Sequence, residues 1–399
     1  MNVLGQLRAG HFGTLTGTYN MSGGTLTLTG ASPNLTPSTA GAGGANATGD
    51  NNINGGATAT IHGGGIYLGN DGAGIFNHTG GSVTTNWIVL DNRGATGAGT
   101  NMADGIDRYT LSGAGSVLNL RSNYGLINRN EGSYAVSFGG GTVRVDNTGT
   151  GTGTGANIII PLDATIDTVA STTTALDTNG AGNGLTLTKD VRGTGTLDLT
   201  GGGTINVTTA GTQNIAANIS GTANLVKLGN GTTTIAGSGA GYTGAVTVSA
   251  GRLNVPSTLA ASSITVPDST VLGGEPTVGA ATFGTVVRAD LFFDPNTAGA
   301  LTAGTLTLPN GTTNNLSFST VPTGSGPWTA INYTAKVGTG TFGPAWLGQL
   351  PRLQRHRQRQ QHHRECDGHE GAHLDRHWRD IERVGYEYDG QLAGLHTGS

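Results

Sequence analysis

The chain has 399 residues, 72 of them glycine and 12 proline, with 35% hydrophobic residues, 11% charged residues and a net charge of -4. That apolar share is thin for a single thick globular core, but it suits a stack of coils that each bury a narrow stripe. The charge balance excludes a basic nucleic-acid-binding stripe, and a lone cysteine, Cys366, excludes an intrachain disulfide framework. No run approaches 18 apolar residues, so no membrane-spanning helix is expected. The start, MNVLGQLRAGHFGTLTG, lacks a basic region followed by an apolar run, so no signal peptide is expected in it. If the protein is exported, the chain is expected to be a fragment or to have a misplaced start.

In chain order, residues 14–30 give two strands around Ser22-Gly23-Gly24. Residues 31–58, rich in Ala, Gly, Asn, Pro and Thr without period, read as a loop or insertion. Strands resume over 60–90, 107–123 and 133–147, and an apolar strand is expected at Asn157–Ile160. Three more lie in 184–209, and others in 263–321, with Asp294-Pro295-Asn296 marking a turn. Residues 328–337 hold the last clear strand. No helical period with caps occurs before residue 345.

The sharpest stretch is 224–255, with runs Leu225–Leu228, Thr232–Ala236, Ala245–Ser249 and Arg252–Val255 separated by glycine turns. Each run is too short for a helix and rich in residues that fit a pleated surface. Strand spacing of this kind suits sandwiches as well as solenoids. The similarity of the units (GGTLTLTG, GTGTLDLTGGGTINV, GAVTVSAGRLNV) favours a solenoid, and a pair of β-sandwiches is the rival.

Residues 224–255 resemble one copy of the autotransporter-associated β-strand repeat of large bacterial surface and secreted proteins. The resemblance rests on Leu225, Lys227, Gly229, Gly231, Ile235, Gly237, Tyr242, Gly244, Val246, Val248, Gly251, Leu253 and Val255. Weaker relatives of the unit cover much of 14–340. The resemblance implies an all-β chain, a right-handed parallel β-helix with Gly/Asn-rich turns over 1–345. It also implies export to the cell surface or outside the cell, and a structural or adhesive role of passenger type. A C-terminal membrane barrel, present in complete members, is not found in this sequence.

After residue 345 the composition changes. Residues 346–399 hold 16 charged residues against 28 in 1–345, and seven of the ten histidines. Shifted by one base, codons for His, Gln and Arg become codons for Thr, Asn, Gly and Ala, the composition of the body. A slip of reading frame near residues 338–348 is therefore expected, leaving 346–399 as a non-native, poorly packed or disordered tail.

Candidate sites are few. His369-Glu370-Gly371-Ala372-His373 matches the H-E-x-x-H zinc pattern, in which two histidines one turn apart hold the metal and the glutamate activates water. Gly371 weakens the helix the pattern needs, and Arg376 and Arg379 stand where the extended motif requires Gly and His. A zinc hydrolase is thus the remote alternative. His362, His363, Cys366, His369, His373 and His377 would bind metal only adventitiously.

Gly239-Ala240-Gly241-Tyr242-Thr243-Gly244 matches G-x-G-x-x-G but is followed by a strand, so its glycines read as turn residues. Gly69–Gly74 reads as a solvated loop rather than a calcium turn. Asn46-Ala47-Thr48 and Asn230-Gly231-Thr232 fit the glycosylation pattern by abundance alone.

Tyr67, Phe76, Trp87, Tyr109 and Tyr134 either stack sugars on a solenoid wall or fill coil corners, the second being the expectation. Asp91, Asp104, Asp107 and Arg108 are too dispersed for acid–base work. No catalytic, cofactor-binding or metal site is expected, and no cofactor. The expected function is a non-enzymatic stalk or adhesin meeting a surface or glycan ligand, with edge-to-edge self-association. A polysaccharide-binding or -cleaving β-helix is the alternative.

Overall fold

Alternation of one apolar and one polar residue cannot be buried by a lone strand; it needs neighbours above and below and a second face opposite. A computed structural model of the chain supplies both. It describes residues 1–4, 6–8, 16–29, 34–36, 48–68, 73–90, 106–128, 133–148, 158–284, 286–293, 301–318 and 329–344. Among them there is no helix, and every strand pairing is parallel.

Each strand pairs with the strand one coil earlier and one coil later, so the chain winds as a stack. Three faces recur in order. The first runs through Thr25–Thr29, Thr58–Ile61, Thr142–Val145, Thr173–Asp177, Thr196–Thr200 and Asn218–Gly221. The second runs through Gly65–Tyr67, Ile159–Asp163, Gly184–Leu187, Thr204–Thr208, Asn224–Leu228 and Ala245–Val248 to Ile331–Val337. The third holds fourteen strands, from Thr16–Met21 to Thr341–Pro344. Two long strands, Ser82–Leu90 and Val117–Asn128, serve the first and second faces in one pass and join them into one sheet.

The coil changes size along the stack. Ile75 lies beside Arg108, thirty-three residues on. Thr212, Thr232 and Arg252 follow one another at intervals of twenty. Arg252, Val271 and Asp290 follow at nineteen. The contraction to twenty residues comes while all three faces are still present. The first face then ends at Gly241–Tyr242, after which an isolated bridge between Gly239 and Leu259 remains, and the coil widens again where Asp290 lies beside Asn315, twenty-five residues on. Later coils have two strands.

Inside, each strand contributes alternate residues to ladders, such as Leu225–Val246–Ile264–Ala281–Leu306 on the second face. All five are buried. Outside, asparagines stack on the third face. The Asn52 amide donates to Asn20 at 2.6 Å, and the Asn77 amide to Asn52 at 2.8 Å.

The residues that carry the 224–255 pattern hold the coil. Leu225, Ile235, Val246, Val248, Leu253 and Val255 point inward and are buried. A side chain on Gly231 or Gly237 would meet the carbonyl of the preceding coil about 2 Å away, at Gly211 and Ala217 respectively (2.1 and 2.0 Å). The Tyr242 hydroxyl is buried against the carbonyl oxygens of Ala223 (2.9 Å) and Ala245 (3.0 Å).

Two expectations need correction. The stretch 31–58 is not one loop. It contains strands Leu35–Thr36 and Thr48–Ile53, the second paired with Thr16–Met21 and Gly74–His78. Partners on both sides complete the backbone hydrogen bonds of a segment whose Gly, Asp and Asn have little intrinsic strand preference. The apolar strand expected at Asn157–Ile160 is Ile159–Asp163, placed by its partner Gly184–Leu187. The expected slip near 338–348 and the tail 346–399 lie outside the described residues apart from 338–344, which continue the stack.

Candidate functional site

Burial decides among the aromatic residues. Phe76 and Tyr109 face inward, wholly buried, with ring centroids 5.8 Å apart. Tyr134 is half-buried, and its hydroxyl accepts the Thr165 amide at 3.0 Å. Tyr67 and Trp87 instead stand on the outer wall of the second face, half-exposed. A third ring, Tyr124, joins them there and is 52% exposed. Sequence reading missed it, because the expected strand text stopped at residue 123, whereas strand Val117–Asn128 runs on past a corner at Gly125, where φ is +60°.

The three rings form one patch. The Trp87 ring lies 6.4 Å from Tyr67 at 80° and 5.7 Å from Tyr124 at 77°. Trp87 is in register with Gly65 on one side and Gly125 on the other. A methyl group at Gly65 would lie 2.0 Å from the indole Nε1, so the indole rests directly on that glycine. Glycine is required there for the ring to approach the backbone.

The carboxylates are occupied by their own neighbours. Asp107 is buried and accepts the Gly74 amide at 2.8 Å, while Arg108, next along the strand, points outward. The two therefore face opposite sides of the sheet. Asp91 and Asp104 lie outside the described residues. On the first face Arg121 pairs with Asp146 at 2.8 Å and Arg144 with Asp177 at 2.7 Å, and the Ser220 hydroxyl donates to Asp198 at 2.8 Å. Burial pushes the Asp146 carboxyl up, but hydrogen bonds from Thr148 and Arg121 outweigh it and hold the group below its usual value.

His78 is sealed inside the stack. Its Nε2 donates to the Gly81 carbonyl (3.1 Å), which can only accept, so Nδ1 takes the Tyr109 hydroxyl proton (3.3 Å). Burial lowers its pKa to about 4, against a smaller raising effect of the Gly81 bond, and pushes the Tyr109 phenol up. Buried together on the inner side of the stack, this pair orders the core.

Lys227 also points inward and is fully buried. Its ammonium donates to the carbonyls of Leu228 (2.6 Å), Gly229 (2.7 Å) and Ala250 (3.3 Å). Desolvation lowers its pKa. In Gly239–Gly244 the glycines are not the left-handed turn residues expected. Gly239 bridges to Leu259, Gly241 opens strand Gly241–Tyr242, Gly244 lies close to the Ala223 carbonyl and the Tyr242 ring, and strand Ala245–Val248 follows.

His362, His363, Cys366, His369, Glu370, His373 and His377 lie outside the described residues, as do Gly69–Gly72, Asn46 and Ala47. Among the described residues, no three His, Cys, Asp or Glu side chains converge on a metal position, and no helix is long and apolar enough to cross a membrane. Comparison with protein-family models, curated proteins and solved structures gave no match to this chain.

Proposed function

We propose that the chain is a non-enzymatic structural and adhesive segment of an exported bacterial surface protein, a right-handed β-helix of the autotransporter-associated repeat type. One observation carries this reading. Every residue of the 224–255 pattern is spent on winding the coil, as inward side chain, turn glycine or turn clamp. A sequence whose recurrent residues build only a stack is suited to projecting something at a distance. Right-handedness follows from the strong preference of parallel strand crossovers for that hand.

Fourteen strands on one face, at the usual strand separation, extend about 60 Å. The outer ladders of Asn, Thr and Ser keep such a rod wettable. Protease treatment of intact source cells tests the reading. Peptides of this chain should be released before lysis, and their appearance only after lysis would rule out a surface location.

The binding half of the alternative, recognition of a polysaccharide, is favoured by the exposed patch of Tyr67, Trp87 and Tyr124. Cleavage is not favoured. It calls for two carboxylates held on either side of a scissile bond. Asp146 and Asp177 are instead each paired with an arginine.

A further inference from the structure

We infer that the patch of Tyr67, Trp87 and Tyr124 is a saccharide-binding site that seats a neutral pyranose ring on the open face of the Trp87 indole. The inference rests on the adhesive reading above and gives it an address. With the indole resting on Gly65, its opposite face is turned away from the sheet. The axial C–H groups of a pyranose carry slight positive charge and are attracted to the negative face of an aromatic ring.

Tyr67 comes from the coil before Trp87, level with Val89, and Tyr124 from the coil after it, next to Gly125, so the two rings, each near-perpendicular to the indole, flank it diagonally. That diagonal, two strand spacings across and three residues along, is on the order of 14 Å between backbones and leaves the indole room for a sugar ring with its hydroxyls. It is too wide to enclose a methylated ammonium group on all sides, which is the other ligand that aromatic clusters recognise. The phenol groups and the exposed Asn123 amide supply hydrogen-bond partners at the rim.

Charge selects a neutral sugar. Strands Gly65–Tyr67 and Ser82–Leu90 contain no charged residue. Val117–Asn128 contains only Arg121, which Asp146 neutralises. Among the described residues of these strands an anionic glycan would find no unpaired cation, and a cationic ligand no carboxylate.

The test is affinity electrophoresis of the full chain in gels containing laminarin, mannan, dextran or hydroxyethylcellulose, beside Trp87→Ala and Tyr124→Ala. Tyr124 is exposed, so its variant should keep the thermal midpoint of the wild type even if the tryptophan variant does not fold. The expected result is retardation of the wild-type chain by at least one of the four polysaccharides, weakened at least tenfold in Tyr124→Ala. No retardation by any of the four overturns the inference. So does retardation that Tyr124→Ala retains in full, or retardation abolished by excess choline. Should the chain adhere to intact cells equally well with and without Tyr124→Ala, the patch is excluded while the adhesive reading stands.

Discussion

Lys227 and Ala250 are tied together from both ends. The Lys227 ammonium donates to the Ala250 carbonyl at 3.3 Å, and the Ala250 amide donates back to the Lys227 carbonyl at the same distance. One side chain thus clamps two successive turns of the stack. Lys227→Met should keep the volume but leave the half-buried carbonyls of Leu228 and Gly229 without their donor, at a cost of about 1 kcal/mol. Lys227→Ala should cost more, since a cavity is added. Urea unfolding followed by circular dichroism measures both; an unchanged midpoint in Lys227→Met would show that the ammonium holds nothing.

His78 makes the N-terminal coils sensitive to acid. Its pKa is about 4 in the folded chain against an ordinary 6.5. The unfolded chain therefore binds more protons between these values, and stability falls as pH drops from about 6.5 to 4 and is fully present above 6.5. The loss is on the order of 3 kcal/mol. His78→Leu should have a flatter pH dependence than the wild type over that window. Parallel curves for the two proteins would refute the assignment.

Asn51 is the opposite case, a buried polar group with nothing to bind. It faces inward between Tyr19 and Phe76, and neither amide atom has a hydrogen-bond partner among the described residues. Asn51→Leu should raise stability by about 1–3 kcal/mol, the cost of leaving such a group unsatisfied. A lower thermal midpoint in the variant would show that the amide has a role in the native state.

Strand Ile331–Val337 pairs on one side only among the described residues, with Leu301–Thr307. Residues 1–345 produced alone should present that open edge and associate through it, because an unpaired parallel edge is a template for another strand. Light scattering over a concentration series reads this out. A monomer at every concentration would mean the edge is protected.

The fold was legible where side-chain chemistry alternates and turns contain glycine. The four runs between Leu225 and Val255 match the observed strands to within a residue at each end. It was illegible where the partner strand, rather than the sequence itself, imposes the conformation. Thr48–Ile53 is held by its neighbours despite its composition. The short Gly241–Tyr242 strand carries no alternation of its own.

Of the candidate patch, Tyr67 and Trp87 were visible as aromatic residues but not as outward ones. The difference from Phe76 and Tyr109 is a matter of strand register, to which composition is blind. Lys227 shows the reverse limit, since a charged residue reads as solvent-facing unless its carbonyl partners are known.

The narrow coils around Tyr242 bear on how such a protein changes length. The twenty-residue turns from Thr212 through Thr232 to Arg252 each wind three short strands into a compact closed circuit, and the two stack on one another at the same size. Duplication of one such segment would add a storey of about 4.8 Å and present the same two floors to its neighbours. In the thirty-three-residue turns near Ile75 a duplicate would have to fit coils of unequal girth. The narrow region is where the molecule can be made taller or shorter by recombination without being redesigned.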